Sequence, residues 1–335
     1  MASHASLDHE WSSRHARFPR PTLLPGGEGE QSCRDFHVNV RVLGFAESLA
    51  QARALAERLS CPCGEIQTHR FPDRESRVCV PPQPAADTIL YRSLDDPNDK
   101  LIELLLAART LREQGCRRLT LVAPYLSYMR QDMAFQPGEA VSQRHIGAFL
   151  ATLFDAVVTV DPHLHRIERL EQAIPLRCAV AVSAAPLFGA ILKQRADRPL
   201  LLGPDGESAQ WVDVVARVSG LEGAVARKER HGDREVAICL PDVPLAGRSV
   251  VLVDDVASTG HTLAAVARKL YAAGAARVEA CITHALFAGD AQEVLRAAGV
   301  EPIVSSDSIP HPSNGVALAP LLAGTLAGVD WERDA

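Results

Sequence analysis

Apolar and polar positions fall into two recurring kinds of block. Short apolar runs bounded by polar or turn residues predict strands at His37–Gly44, Thr88–Tyr91, Arg118–Ala123 and Ala156–Val160. The last does not alternate, as expected when helices cover both faces of a strand. Helical spacing lies between them, at Ser48–Leu59, in a helix opening at Asp96-Pro97, and at Val141–Phe154. In the middle helix Leu101, Leu104, Leu105, Ala108 and Leu111 share one face. Asp96 is expected to cap it, Pro97 fills a position that needs no N–H, and Gly115 stops it.

The same grammar returns in the second half. A helix at Ala184–Gln194, a strand at Pro199–Leu202 and a helix at Glu207–Val218, ended by Gly220, come first. An antiparallel pair is expected near Ala224–Ala226 and Glu235–Leu240, flanking the polar stretch 227–234. Strand Ser249–Val253, helix Leu263–Tyr271, strand Val278–Thr283, helix Asp290–Ala297 and strand Pro302–Ser305 follow. Such alternation implies an α/β fold, with two similar halves of mainly parallel sheet flanked by helices. The halves are expected at 37–178 and 179–335. Residues 1–36 lack either periodicity and contain Phe18-Pro-Arg-Pro, so they read as a mobile N-terminal extension.

Composition adds exclusions. A length of 335 residues suits about two domains. A hydrophobic fraction of 47% with 23% charged residues excludes wholesale disorder. Lys and Arg total 35 against 41 Asp and Glu, a net charge of −6, which argues against a nucleic-acid partner. It leaves room for a local basic pocket. The uncharged run Cys178–Leu192 contains Pro186 and Gly189 and is shorter than the ~20 residues of a bilayer span, so no membrane partner is expected. No apolar signal core follows Met1, and the expected location is cytoplasmic. Only Cys61 and Cys63 of the eight cysteines are close, which suits reduced thiols.

The most informative segment is Val250-Val251-Leu252-Val253-Asp254-Asp255, continuing as Val256-Ala257-Ser258-Thr259-Gly260-His261-Thr262. A hydrophobic strand is expected to deliver two carboxylates to a tight loop that opens a helix. Unsatisfied N–H groups at a helix start attract phosphate, and Gly260 admits close backbone approach. Ser258, Thr259 and Thr262 offer hydroxyls to phosphate oxygens. Asp254 and Asp255 can accept from vicinal sugar hydroxyls or hold a divalent cation through water. A phosphate cradle beside a diol grip suits a phosphorylated pentose.

This segment resembles the phosphoribosyl-diphosphate loop of the phosphoribosyltransferase fold. Five further motifs narrow the match: Phe71-Pro72-Asp73-Arg74-Glu75, Pro124-Tyr125 through Arg130-Gln131-Asp132, Val160-Asp161-Pro162-His163, Gly203-Pro204-Asp205 and Arg227-Lys228-Glu229-Arg230. Their order resembles the ribose-phosphate pyrophosphokinases, from about residue 37 to the C-terminus. Ser258 and Gly138-Glu139 are more similar to the archaeal-type branch.

The resemblance implies transfer of the diphosphoryl group of ATP to ribose 5-phosphate, with Mg²⁺ as cofactor and a homo-oligomer as the assembly. It implies an adenine contact for Phe71, Asp73 and Glu75, and further ATP contacts for Arg130, Gln131 and Asp132. It places ribose phosphate on Asp254, Asp255, Ser258, Thr259, Gly260, His261 and Thr262, and the metal–nucleotide at His163 and Asp205. His165 is the weaker of two nearby histidines for that role. Lys228 and Arg230 are the implied catalytic pair, on a flexible loop that closes over the transferring group. Met133 and Ala134 stand where relatives commonly carry basic residues, Glu207 and His261 where they commonly have Gly. Two alternatives therefore stay open: a silent regulatory homologue, and a phosphoribosyltransferase that consumes phosphoribosyl pyrophosphate.

Overall fold

The structure, a computed structural model, describes residues 40–328 apart from 165 and 232–234, with the backbone alone at 228–231 and 235–237. The expected extension at 1–36, the first three residues of the expected first strand and His165 lie outside the described residues. The first half contains β1 (Val40–Phe45), α1 (Leu49–Arg58), β2 (Cys63–Arg70), β3 (Ser76–Cys79) and β4 (Asp87–Tyr91). It continues through α2 (Pro97–Glu113), β5 (Arg118–Ala123), α3 (Ser142–Ala151), β6 (Ala156–Val160) and β7 (Cys178–Val182). These strands form a seven-stranded sheet in the order β3-β2-β1-β4-β5-β6-β7. Its pairs are parallel except β2 with β3.

The second half runs through α4 (Ala185–Leu192), β8 (Leu200–Gly203), α5 (Ala209–Ser219), β9 (Gly223–Val225), β10 (Arg227–His231) and β11 (Glu235–Cys239). Then come β12 (Ser249–Ala257), α6 (His261–Ala272), β13 (Arg277–Ala285), α7 (Ala291–Ala297), β14 (Val300–Ser306), β15 (Asn314–Val316) and α8 (Ala319–Gly328). Its six-stranded sheet has the order β15-β14-β13-β12-β8-β9, and β10 and β11 pair apart from it. The expected junction between residues 178 and 179 falls at the start of β7, which pairs with β6 of the first sheet.

Three apolar cores explain why the halves hold together. Leu101, Leu104, Ala108 and Leu111 of α2 pack with Leu150 of α3 on one face of the first sheet. Leu263, Val266 and Leu270 of α6 pack with Leu295 of α7 on the outer face of the second. The third core is shared. It joins Val158 and Val160 of β6 to Phe188 of α4, Trp211 of α5, Val251 and Val253 of β12, and Leu322 of α8. The chain therefore stacks sheet, shared helices and sheet, with a helical layer outside each. Apolar burial contributes about 25 cal/mol per Å², so this seam favours a fixed arrangement of the two sheets.

Several local expectations are corrected. Asp96 precedes α2, but its left-handed backbone (φ 47°) departs from the extended N-cap conformation and its carboxylate makes no capping bond. The antiparallel pair begins at Arg227, not Ala224, because Gly223–Val225 pairs in parallel with β8. No helix among the described residues is long and apolar enough to cross a membrane. No disulfide joins the described cysteines.

Gly147 on α3 offers a direct test of packing. A Cβ there would lie 1.9 Å from the carbonyl oxygen of Ala173. Gly→Ala in an open helix stabilises by roughly 0.5–1 kcal/mol. Here we expect Gly147→Ala to destabilise by about 1–3 kcal/mol in urea unfolding, because backbone must move. A stabilised variant would contradict the packing described.

Candidate active site

The strand β12 stays paired with β13 beyond the expected loop, Asp254 opposite Ile282 and Ala257 opposite Ala285. Asp254 and Asp255 therefore sit on the strand itself, a correction to the loop placement. Continued ladder bonding holds both carboxylates in fixed register. Ser258, Thr259 and Gly260 then form the turn into α6, which begins with His261 and Thr262. Gly260 has φ 72°, and a Cβ would lie 3.0 Å from Leu295 Cγ and 3.1 Å from the Ala291 carbonyl oxygen. Both backbone conformation and space thus demand glycine. The turn is braced by Phe287 N–H donating to Ala257 O (2.9 Å) and Ala288 N–H to Ser258 O (3.0 Å). The first-turn N–H groups of α6 open at this strand end, a setting suited to an anion.

In the first half, Arg130, Gln131 and Asp132 follow β5 on a loop clasped by Glu139. The Glu139 carboxylate accepts from Gln131 Nε2 (2.8 Å), Phe135 N–H (2.6 Å) and Gln136 N–H (3.0 Å). These donors hold its pKa below the usual range, the Gln131 bond contributing most. Asp132 pairs with Arg166 at 3.5 Å, and Arg130 is exposed. Phe71, Asp73 and Glu75 occupy the tip of the β2–β3 hairpin. Phe71 N–H donates to Glu75 O (2.8 Å), and Asp73 Oδ1 accepts from Glu75 N–H (3.2 Å). The Phe71 ring is 40% exposed and meets His69 edge-on, at 4.9 Å between centroids. An exposed flat ring beside two exposed acids is available to an aromatic amine.

The two halves meet at His163. Its Nδ1 lies 2.7 Å from Asp255 Oδ2, a bond from the carboxyl end of β6 to β12. Burial raises the Asp255 pKa, but the His163 bond and the charges of His163 and His284 outweigh it, and the net direction is down. An ionised Asp255 accepts only, so we assign the proton to His163 Nδ1. Asp254 shifts the opposite way, well up, through burial and then the charges of Asp255 and Asp205. The adjacent carboxyls therefore differ in protonation tendency. Asp205 follows β8 and accepts from Glu207 N–H at 3.2 Å, capping the turn Gly206–Ser208.

Lys228 and Arg230 lie on β10, opposite Ile238 and Val236 of β11. The stretch expected as a loop is thus partly a strand; the side chains of both residues are outside the described residues.

Sequence reasoning missed several residues at this seam. Asp161 accepts from Trp211 Nε1 (2.9 Å), Ala184 N–H (2.9 Å) and Thr283 Oγ1 (3.0 Å). His284 is buried, stacks edge-on with Tyr125 at 4.9 Å, and places Nδ1 2.9 Å from Ser308 Oγ. Burial pushes the Tyr125 pKa up, with Arg130 opposing and Asp255 adding. The Asp-Pro-His motif was a usable signal for Asp161; Trp211 and His284 carried none.

Mg²⁺ prefers hard oxygen donors and keeps several waters, binding through one or two carboxylates plus substrate phosphates. The described residues contain no cluster of three or more His, Cys, Asp or Glu able to hold a metal alone. The mutual repulsion of Asp254, Asp255 and Asp205 is nonetheless the kind of crowding that a cation relieves. The donor set fits a Mg²⁺ ion carried in on phosphates, not a resident protein cage.

Comparison with known proteins adds independent findings. Residues 40–153 match the model of the N-terminal domain of ribose phosphate pyrophosphokinase, and residues 180–297 that of the phosphoribosyl transferase domain. The chain is 35% identical over 286 residues to the ribose-phosphate pyrophosphokinase of Methanopyrus kandleri, covering 84% of this chain and 97% of that protein. It is 33% identical over 291 residues to the Halobacterium salinarum protein of the same name, covering 85% and 100%. The crystal structure of phosphoribosylpyrophosphate synthetase from Mycobacterium smegmatis shares the fold, with a TM-score of 0.73 and 21% identity, covering 86% of this chain and 97% of that one.

The Glu139 clasp generates a prediction. Its folded-state pKa is depressed, so its contribution is present above the unfolded value, about 4.3, and lost as pH falls through the folded value. Glu139→Ala should speed hydrogen exchange at the Phe135 and Gln136 amides by about tenfold. Acidification through the folded value should lower the wild-type protection factors of the same two amides, measured against the slower intrinsic exchange at low pH. Unchanged exchange in the variant would contradict the clasp.

Proposed function

The chain belongs to the ribose-phosphate pyrophosphokinase family, and on that premise we propose that it makes 5-phosphoribosyl 1-pyrophosphate and AMP from ATP and ribose 5-phosphate. The 1-hydroxyl oxygen attacks the β-phosphorus, the bond from that phosphorus to the α,β-bridging oxygen breaks, AMP departs and a proton is released. The observation that carries this reading is the His163–Asp255 bond, which joins the strand end of one half to the phosphate-loop strand of the other. A two-substrate transfer needs such a meeting point, since holding both reactants in line removes much of the entropic barrier.

In this reading Phe71 stacks on adenine while Asp73 and Glu75 accept from its amine. Arg130, Gln131 and Asp132 contact the nucleotide from the clasped loop. Asp254 and Asp255 hold the ribose diol; Ser258, Thr259, Gly260, His261 and Thr262 cradle the 5-phosphate. His163 and Asp205 would hold the metal-bearing triphosphate, where Mg²⁺, when bound, neutralises phosphate charge. Lys228 and Arg230 supply the cations nearest the transferring group, where developing charge is best stabilised by groups already in place. Homo-oligomeric assembly, a cytoplasmic location and a place in nucleotide biosynthesis belong to the same proposal.

Purified protein given ATP, Mg²⁺ and ribose 5-phosphate should release AMP with matching phosphoribosyl pyrophosphate. No AMP above an ATP-only control, across phosphate and donor concentrations, would overturn the activity. Lys228→Ala should lower kcat by about 10²-fold or more, with nucleotide affinity changed by less than about twofold; unchanged turnover would remove Lys228 from catalysis.

A further inference from the structure

The residue two before His163 makes more connections across the seam than the reaction as described requires. Asp161 is 6% exposed and has a left-handed backbone, φ 37°, which a residue with a Cβ seldom adopts. That turn directs the chain out of β6 so that His163 can reach Asp255. It is held from four elements. Asp161 N–H donates to Val182 O at the end of β7 (2.8 Å), and its carbonyl oxygen lies 3.3 Å from His284 Nε2 on β13. Its Oδ2 accepts from Ala184 N–H before α4 (2.9 Å) and from Thr283 Oγ1 on β13 (3.0 Å).

The donor to Oδ1 is the indole Nε1 of Trp211, at 2.9 Å. Trp211 is 7% exposed and sits in the core shared by both halves. It lies on α5, the helix that follows the turn capped by Asp205. The Ser183 side chain also bonds this carboxyl, so loss of the indole N–H would remove one of several donors that hold it, at a backbone position that is already unfavourable.

We propose that Trp211, acting through Asp161, is a positioning residue that sets where His163 stands relative to Asp255. The inference rests on the proposed activity for its kinetic consequence, but its geometry stands without it. Neither Trp211 nor Asp161 touches the reacting atoms in this account. Displacing a group by about 1 Å in such a site can cost about 10²-fold.

The test is Trp211→Phe, which keeps an aromatic ring and removes the N–H, made in the wild type and in His163→Ala. In the wild-type background kcat should fall about tenfold or more, with KM for ATP within about twofold. In the His163→Ala background the same substitution should have little further effect, because the residue through which it acts is gone. An equal drop in both backgrounds, or no drop in the wild type, would overturn the proposal. NMR of the His163 ring supplies a readout independent of turnover. Its resonances should shift in Trp211→Phe and again in Asp161→Asn; ring resonances unchanged in the folded Trp211→Phe protein would also overturn it. A wild-type protein that makes no AMP sinks the proposed activity alone, and the ring resonances then decide the positioning role.

Discussion

The arrangement of this molecule turns on a bond between two halves that each look complete by themselves. His163 leaves the end of one mainly parallel sheet and meets Asp255 on a strand of the other at 2.7 Å. A bond of that kind, with one partner ionised, is among the stronger single contacts in a protein. It also demands accuracy, because its two ends belong to separate sheets. The shared apolar core provides the coarse alignment, and the polar contacts of Asp161 refine it. Without a fixed seam, two strand ends would present their functional groups at variable distances.

The charge pattern follows from the same junction. The protein is acidic as a whole, yet its proposed substrates are both strongly anionic. Asp254 and Asp255 add further negative charge at the point of contact. Their environments separate them: His163 lowers the pKa of one, while its neighbours raise that of the other. The adjacent carboxyls therefore differ in proton affinity, and their crowding with Asp205 is of the kind a bound cation relieves. Positive potential comes from local sources, including Arg130 and a helix start.

Much of the fold was readable because parallel strands covered on both faces leave a plain mark. Arg118–Ala123 and Ala156–Val160 are strands with the bounds their composition suggested. The β2–β3 hairpin was not anticipated, since most of its residues face solvent and no apolar alternation marks it. Strand β12 outlasts its hydrophobic run because pairing with β13 continues past Val253, and sequence pattern does not report ladder bonds. In the candidate site, motif order led to His163 and Asp255 individually. It did not disclose that they touch, nor that Trp211 and His284 converge on Asp161, since those contacts join residues 50 and 123 positions apart. Contacts of that range depend on how the halves stack, which no local window encodes.

On this reading the two halves act as one site through His163 and Asp255. Calorimetric titration of ribose 5-phosphate into the wild type, His163→Ala, Asp255→Asn and the double variant, with Mg²⁺ and a non-transferring ATP analogue present, tests it most directly. A coupling of about 1 kcal/mol or more between the two substitutions is the result this account predicts. Losses that add to within about 0.3 kcal/mol would contradict it.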